Sequence, residues 1–408
     1  MSFSQGVSGL GVAAANLDVI GNNIANSGTI GFKSAAATFQ DIYAGSRIGL
    51  GASVSGVVQN FTQGVTQSSS RPLDVAILSG DGFFRMASSS GEVMYTRNGQ
   101  FTKDKDGYIV NANGLRLTGY GVNASGGING GTPSAIQIPT QAMTPNATTG
   151  VDAEFNLDAR STVPTKTPFN ATDSATFNYS NAAGPIYDSL GNAHDLSVYF
   201  VKTAANAWDV YATADGVALN AGAPISGAAP GMTFDTNGNL TAPASGAITL
   251  PAMTFPNGSS PVNIKIDLTG TTQFGTANGM SKLSQDGYTS GVLTSFSINP
   301  DGTITGKFSN EQSKLMGQVV LSSFANPNGL EPKGDNMYAE TQASGAALTS
   351  TPGEGSKQGS LAAGALESSN VDLTAELVNL IVAQRNYQAN AQTVKTQDQV
   401  MQTLMNIR

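Results

Sequence analysis

Two narrow apolar stripes, one at each end of the chain, constrain its fold more than any other feature. Phe3, Val7, Leu10, Ala14, Leu17, Gly21 and Ile24 step alternately by four and three. Leu373, Leu377, Leu380, Gln384, Tyr387, Ala391, Val394, Asp398, Met401 and Met405 do the same, with Gln384 and Asp398 as polar interruptions. Residues so spaced share one face of a helix, so each terminus is predicted to be a heptad helix whose seam meets a partner. The later helix would be about 50 Å long. Ser368, Ser369 and Asn370 are its cap candidates, with Asp372 and Glu376 near the positive end of the dipole. The stripes imply an antiparallel-looking pair or a coiled coil between chains. Two surface helices packed on a central domain are the plainer alternative.

The first helix is poorly equipped to stand alone. From Met1 to Gly31 its only charged side chain is Asp18, and Gly6, Gly9, Gly11 and Gly21 interrupt it. Each glycine costs up to about 1 kcal/mol of helix propensity. In water the isolated segment should be disordered. The rest of the chain is equally poor in charge: Asp, Glu, Lys and Arg make up 12% of it, while glycine reaches 48 residues. That is about half the usual charged share. Such a composition suits an extracellular, β-rich protein whose surfaces face copies of themselves. With 28 acidic against 20 basic side chains and no basic cluster, nucleic acid is disfavoured as a partner. Anionic membranes are disfavoured for the same reason. No run approaches the ~20 apolar residues of a membrane span. The N-terminus lacks a cationic start followed by an apolar run, so any export is expected to proceed without a cleaved signal peptide. Cysteine is absent, so burial and subunit contact must do what disulfides often do outside the cell.

With 408 residues the chain can build two or three domains. Residues 1–26 and 365–408 are assigned to a terminal helical, coiled-coil domain, and 27–70 to an extended connector with some strand. From Pro72 the pattern turns to strands and tight turns. Val75–Leu78 reads as a buried strand, and Lys103–Gly107 and Asn299–Gly302 as hairpin turns. Residues 71–145 and 283–364 form the predicted core β domain. Residues 146–282 read as a second β domain inserted in the first, with hairpin candidates at Asp188–Asn192 and Asp235–Asn239 and loops at 221–230 and 242–246. A turn about every ten residues indicates a sandwich or barrel. The predicted fold class is therefore mainly β with α-helical termini, in nested domains.

Catalytic chemistry is hard to place. His194 is the only histidine, and it lies just after a hairpin turn with no nucleophile motif nearby, so a surface turn residue is expected. Nothing resembles a zinc-binding cluster. Asp104–Gly107 begins like a calcium loop, but its glycine comes too early and no Glu closes it. Gly9–Ala14 matches a loose dinucleotide pattern, without the strand that must precede it. Paired carboxylates could serve glycoside hydrolysis, although the inserted domain offers few Glu and no obvious aromatic cluster for sugar stacking. No catalytic, cofactor or metal residue is assigned.

Three segments are more specific. Ala15–Asn26 followed by Thr29–Lys33 resembles the N-terminal motif of the flagellar basal-body rod and hook family. Ser368–Asp372 and Gln384–Asn390 resemble its C-terminal motif, and Gly80–Phe84 and Tyr95–Phe101 its core-domain motif. All occur in the family's order, over about residues 1–120 and 291–408. The insert favours the hook branch over the distal-rod branch, which lacks one. An extracellular β-rich adhesin is the alternative from another class.

The resemblance implies a self-assembling helical tube, a flexible joint between motor and filament, in three layers: the terminal helices inside, the core domain in the middle and the insert outside. Phe3, Val7, Leu10, Leu17, Ile24, Leu373, Leu377, Leu380, Tyr387, Val394, Met401 and Met405 would be its self-assembly residues. Phe3 and Val7 would double as an export motif for the flagellar type III apparatus. The resemblance also implies partners: copies of the chain itself, the distal rod protein, the hook cap protein, the hook–filament junction protein and the hook-length control protein. It implies an extracellular location and neither membrane insertion nor a nucleic-acid partner.

Overall fold

A computed structural model describes residues 3–42, 49–123, 125–225 and 231–406. Parts of the expected terminal helical domain (1–2 and 407–408), the connector (43–48), the core domain (124) and the loop at 221–230 (226–230) lie outside the described residues. Both ends are helical: α1 spans Phe3–Ala25 and α2 spans Leu373–Asn406. Strands and turns fill almost everything between, so the mainly-β class with helical termini holds. The cap of α2 is one correction. Asp372, rather than the Ser368–Asn370 run, accepts Thr374 N–H at 2.9 Å and Ala375 N–H at 3.1 Å through its Oδ1. Among the described residues no helix is long and apolar enough to cross a membrane.

One turn design recurs and explains the regular punctuation of the sequence. In Asp104–Tyr108, Asn111–Leu115, Asp188–Asn192 and Asp235–Asn239, Oδ1 of the first residue accepts the backbone N–H two and four positions on. The fourth residue is always a glycine with positive φ, between 75° at Gly114 and 90° at Gly107. A short oxygen-bearing side chain satisfies the turn's donors, and glycine enters the left-handed region without strain.

The chain divides into two compact units. The first comprises Met1–Thr140, Ser295–Lys307 and Ser313–Arg408. In it the connector folds as an antiparallel hairpin of Ala35–Asp41 with Ala52–Gln59, neither strand of which has a buried residue. The β body is closed by late segments returning to early ones. Ser360–Ala363 pairs antiparallel with Val75–Leu78, and Ala365–Glu367 with Thr66–Ser68. Its core is aromatic: Tyr95 and Phe324 meet edge to face at 4.8 Å, Phe83 and Phe324 at 5.8 Å. Such pairs add about 0.5–1.5 kcal/mol beyond their burial. The Gly80-Asp81-Gly82 motif lies flush against the chain. A Cβ on Gly80 would collide with the backbone of Gln358 and Gly359, and one on Gly82 with the Gln358 carbonyl.

The second unit comprises Gln141–Thr294 and Phe308–Gln312. One of its sheets is built on Gly150–Asp158, whose alternate residues Val151, Ala153, Phe155 and Leu157 are buried. The other is built on Ala193–Ala204 and Ala207–Ala214, which bury Leu196, Val198, Phe200 and Trp208. Both faces contribute to one core, the arrangement of a sandwich. Trp208 is fully enclosed and donates its indole N–H to Gln273 Oε1 at 2.7 Å. Not every pairing is a hairpin. Gly150–Asp158 runs parallel to Lys265–Asp267 and to Thr272–Phe274, and antiparallel to Gly279–Gln285.

Candidate assembly surface

Residues of the terminal motifs meet where the two helices leave the β body. Gly31 has a φ of 71°, and a Cβ there would lie 2.7 Å from Asn98 N and 2.8 Å from the Arg97 carbonyl carbon. Its own N–H donates to Glu367 O at 2.8 Å. Two residues on, Lys33 is buried and donates to Glu367 Oε1 at 2.6 Å and to Thr62 O at 2.7 Å. Gly64 N–H donates to the same carboxylate oxygen at 2.9 Å. Arg97, also buried, lies 3.7 Å from Glu367 Oε2 and donates to Gly80 O at 2.9 Å. Asn370 completes the joint: its Oδ1 accepts Ser34 N–H at 2.7 Å, and its Nδ2 donates to Asn60 O at 2.7 Å.

Two cations therefore share one carboxylate out of contact with water. Burial pushes the Lys33 ammonium below the ordinary lysine value, with Glu367 pulling it back and Arg97 adding to the depression. Burial depresses Arg97 too, opposed by Glu367, Asp81 and Tyr338. Lys33 and Arg97 lie inside the motifs and Glu367 just before one, but no sequence spacing marks the three as an ionic group. One signal was present: Lys33 is the first basic residue of the chain, set in a segment almost without charge.

Beyond this joint the helices pair antiparallel, but not through the expected seam. Gly6, Ala13, Ile20 and Asn23 are the buried residues of α1. A Cβ on Gly6 would lie 2.8 Å from a Val394 methyl carbon, and one on Gly9 2.7 Å from Asn390 Oδ1. Asn23 Nδ2 donates to Glu376 Oε1 at 3.2 Å, and Ala383 is buried in the middle of α2. The contact thus runs through Gly6, Gly9, Ala13, Ile20 and Asn23, shifted by one residue from the predicted stripe. Glycine at positions 6 and 9 lets the two backbones approach, and a Cβ at either would have to shift the Val394 or Asn390 side chain.

Many of the expected assembly residues consequently keep large exposed surfaces. Phe3 is 54% exposed and Val7 47%. Leu373, Leu377 and Tyr387 are exposed, Met401 is 53% exposed and Met405 71%. Leu10, Leu17, Ile24 and Leu380 are half-buried. Val394, also half-buried, lies against Gly6 of the opposite helix. Exposed Val378, Ile381 and Val382, outside the stripe of alternating three- and four-residue steps, widen the apolar face of α2.

His194 is not the surface residue expected. Its ring stacks on Phe255 at 3.5 Å and 11°, with Nδ1 2.7 Å from Asp215 Oδ2 and Nε2 3.4 Å from Asp188 Oδ2. Although burial works to raise it, hydrogen bonds from Asn192, Asn257 and His194 hold Asp188 well below the usual carboxylate range. The group ties the 188–192 turn to the loop at Phe255 and Asn257. Nor is the insert without clustered aromatics: Phe169 stacks on Tyr211 at 4.2 Å, and Phe177 meets Tyr199 at 5.1 Å. Among the described residues no group of three or more His, Cys, Asp or Glu could hold a metal ion.

The chain is 49% identical to the flagellar hook protein FlgE of Salmonella typhimurium over 411 residues, covering all of both chains. It belongs to the flagellar hook protein family. The FlgE proteins of Escherichia coli K12, 48% identical with all of both chains covered, and of Treponema pallidum, 32% identical with 100% of this chain and 99% of the relative covered, agree. Family models match in sequence order. They are the flagella basal body rod protein over residues 4–33, the flagellar hook protein FlgE/F/G D1 domain over 77–165, the flagellar basal body protein FlaE D2 domain over 156–288 and the flagellar basal body rod FlgEFG protein C-terminal over 362–407. The crystal structure of Helicobacter pylori flagellar hook protein FlgE2 superposes with a TM-score of 0.50 at 15% identity, over 74% of this chain and 99% of that one. Both the resemblance and the hook role it implied are upheld by these relatives.

Proposed function

We propose that the chain is a structural subunit and not an enzyme, one that polymerises with copies of itself into the tubular flagellar hook. The observation that carries this reading is the helix pair, which buries Gly6, Ala13, Ile20 and Asn23 of α1 while Phe3, Val7, Leu377, Ile381, Met401 and Met405 stay exposed. Covering a large apolar side chain is worth about 1.5–3 kcal/mol, and a second copy offers the cover. Contacts that do not close on themselves generate a helical polymer. On this reading the chain works outside the cell, leaves without cleavage through the flagellar export apparatus, and uses Phe3 and Val7 at its exposed start as the export signal. Its further neighbours are the distal rod, hook cap, hook–filament junction and hook-length control proteins.

The test is Leu377→Asp and Leu380→Asp in the full chain. A carboxylate forced into an apolar seam costs several kcal/mol unless paired. Both variants should fail to form tubes in electron micrographs while the β units unfold at the parent's temperature. Normal tubes from both would remove this stripe from the interface.

A further inference from the structure

Asp18 and Arg385 are exposed charges on the paired helices, and neither has an ion-pair or hydrogen-bond partner among the described residues. Successive helical residues turn by about 100°. Asp18 therefore stands on the side of α1 opposite to Ala13, Ile20 and Asn23, in one stripe with Val7, Gly11, Ala14, Gly21 and Ala25. Arg385 stands on the side of α2 opposite to Ala383, at the end of an exposed ridge with Leu377 and Ile381. Gly6 lies against Val394 and Gly9 against Asn390, so Arg385 is within about one turn, roughly 5 Å along the axis, of the level of Asp18. Lys395, the other cation of α2, is level with the start of α1.

We propose, resting on the self-assembly reading above, that a second copy of this chain lays its Leu377–Ile381–Arg385 ridge against the Asp18 stripe of α1, and that its Arg385 closes on Asp18. Charge complementarity selects the occupant. Asp18 is the only charged residue of α1, and Arg385 is the cation that continues the apolar ridge of α2. Arginine meets a carboxylate with two parallel hydrogen bonds, which fixes register as well as adding attraction. The glycines fit this docking. A Cβ on Gly11 or Gly21 would meet nothing within 4 Å, so the fold of one chain gives no reason for either. Each lowers helix propensity by about 1 kcal/mol relative to alanine. An approaching ridge supplies the reason. Where α1 of one copy meets α2 of a second, and α1 of that second copy meets α2 of a third, the contact is heterologous and propagates.

Charge reversal on the full chain tests the pairing. Asp18→Arg and Arg385→Asp should each raise the concentration needed for polymerisation about tenfold or more, and the chain carrying both should return to within about threefold of the parent. Both sites are exposed, so circular dichroism of the monomers should be unchanged. Gly11→Leu should leave the monomer at least as helical and still block the polymer. Single reversals that assemble at the parent's concentration, or a double variant worse than either single one, would overturn the pairing while leaving self-assembly intact. A parent chain that never polymerises would instead remove the self-assembly reading, and this one with it.

Discussion

Lys33 and Glu367, separated by 334 positions in the chain, meet at 2.6 Å inside the first unit, both out of contact with water. Breaking a buried ion pair leaves an uncompensated charge, which costs about 3–5 kcal/mol. Glu367→Gln should destabilise the first unit by that order, because it strands Lys33 and Arg97 together and weakens the acceptor of Gly64 N–H. Lys33→Met should cost less, since Glu367 keeps Arg97. Denaturant unfolding of the two variants checks the order, and equal stability of both with the parent would discredit the electrostatic account.

The α1 glycines should divide into two classes. Gly9→Val must displace Asn390 and should open the helix pair, seen as lost helical circular dichroism with the β signal retained. Gly21→Ala meets nothing in the same chain and should raise monomer helix stability by about 1 kcal/mol. The pairing described above is wrong if Gly9→Val keeps full helicity.

Burial raises Tyr95 and Tyr338 to about 12. In the unfolded chain a tyrosine ionises near 10, roughly two units lower. Between about pH 10 and 12 the unfolded chain sheds these protons and the fold retains them. Stability from this source is therefore complete below about pH 10 and declines above it, by about 1.4 kcal/mol per tyrosine per pH unit. Phenolate absorbance should show late-titrating tyrosines coincident with alkaline loss of Tm. A single phenolate transition near pH 10, with the fold intact, would contradict this.

The end of the insert is a further point of measurement. The strand Gly279–Gln285 pairs with Gly150–Asp158, and Asp286 accepts Thr149 N–H at 2.8 Å and Gly150 N–H at 3.0 Å. An isolated 141–294 segment should therefore unfold cooperatively as a β protein, whereas 146–282, cut inside that strand, should melt at a lower temperature. Equal melting of the two would mean that the last strand adds nothing.

Local features were the legible ones. Both helices follow from alternating three- and four-residue spacing, and the hairpins from Asp or Asn three places before glycine. The register of the helix pair was hidden, because the rule that large apolar residues go inside selects Leu10 and Leu17, whereas the chain buries Gly6 and Ala13. The parallel pairing of Gly150–Asp158 with Lys265–Asp267 has no turn to announce it, being made across more than a hundred intervening residues. His194 looked like a turn residue because Phe255, on which it stacks, arrives from a distant loop. Lys33, Arg97 and Glu367 were visible one by one, but nothing in sequence spacing says that they converge.

The closing strands have a consequence for the order in which the chain can become folded. Val75–Leu78 waits for Ser360–Ala363, Gly80 for Gly359, and Lys33 for Glu367. A chain emerging from its N-terminus therefore holds an unfinished first unit until nearly its last segment is free, while the Gln141–Thr294 stretch can fold earlier on its own pairings. Contacts so distant in sequence form slowly. A product stopped short of residue 359 would keep an open sheet and a bare ammonium where its interior should be, so completeness of synthesis is itself a condition for burying the core.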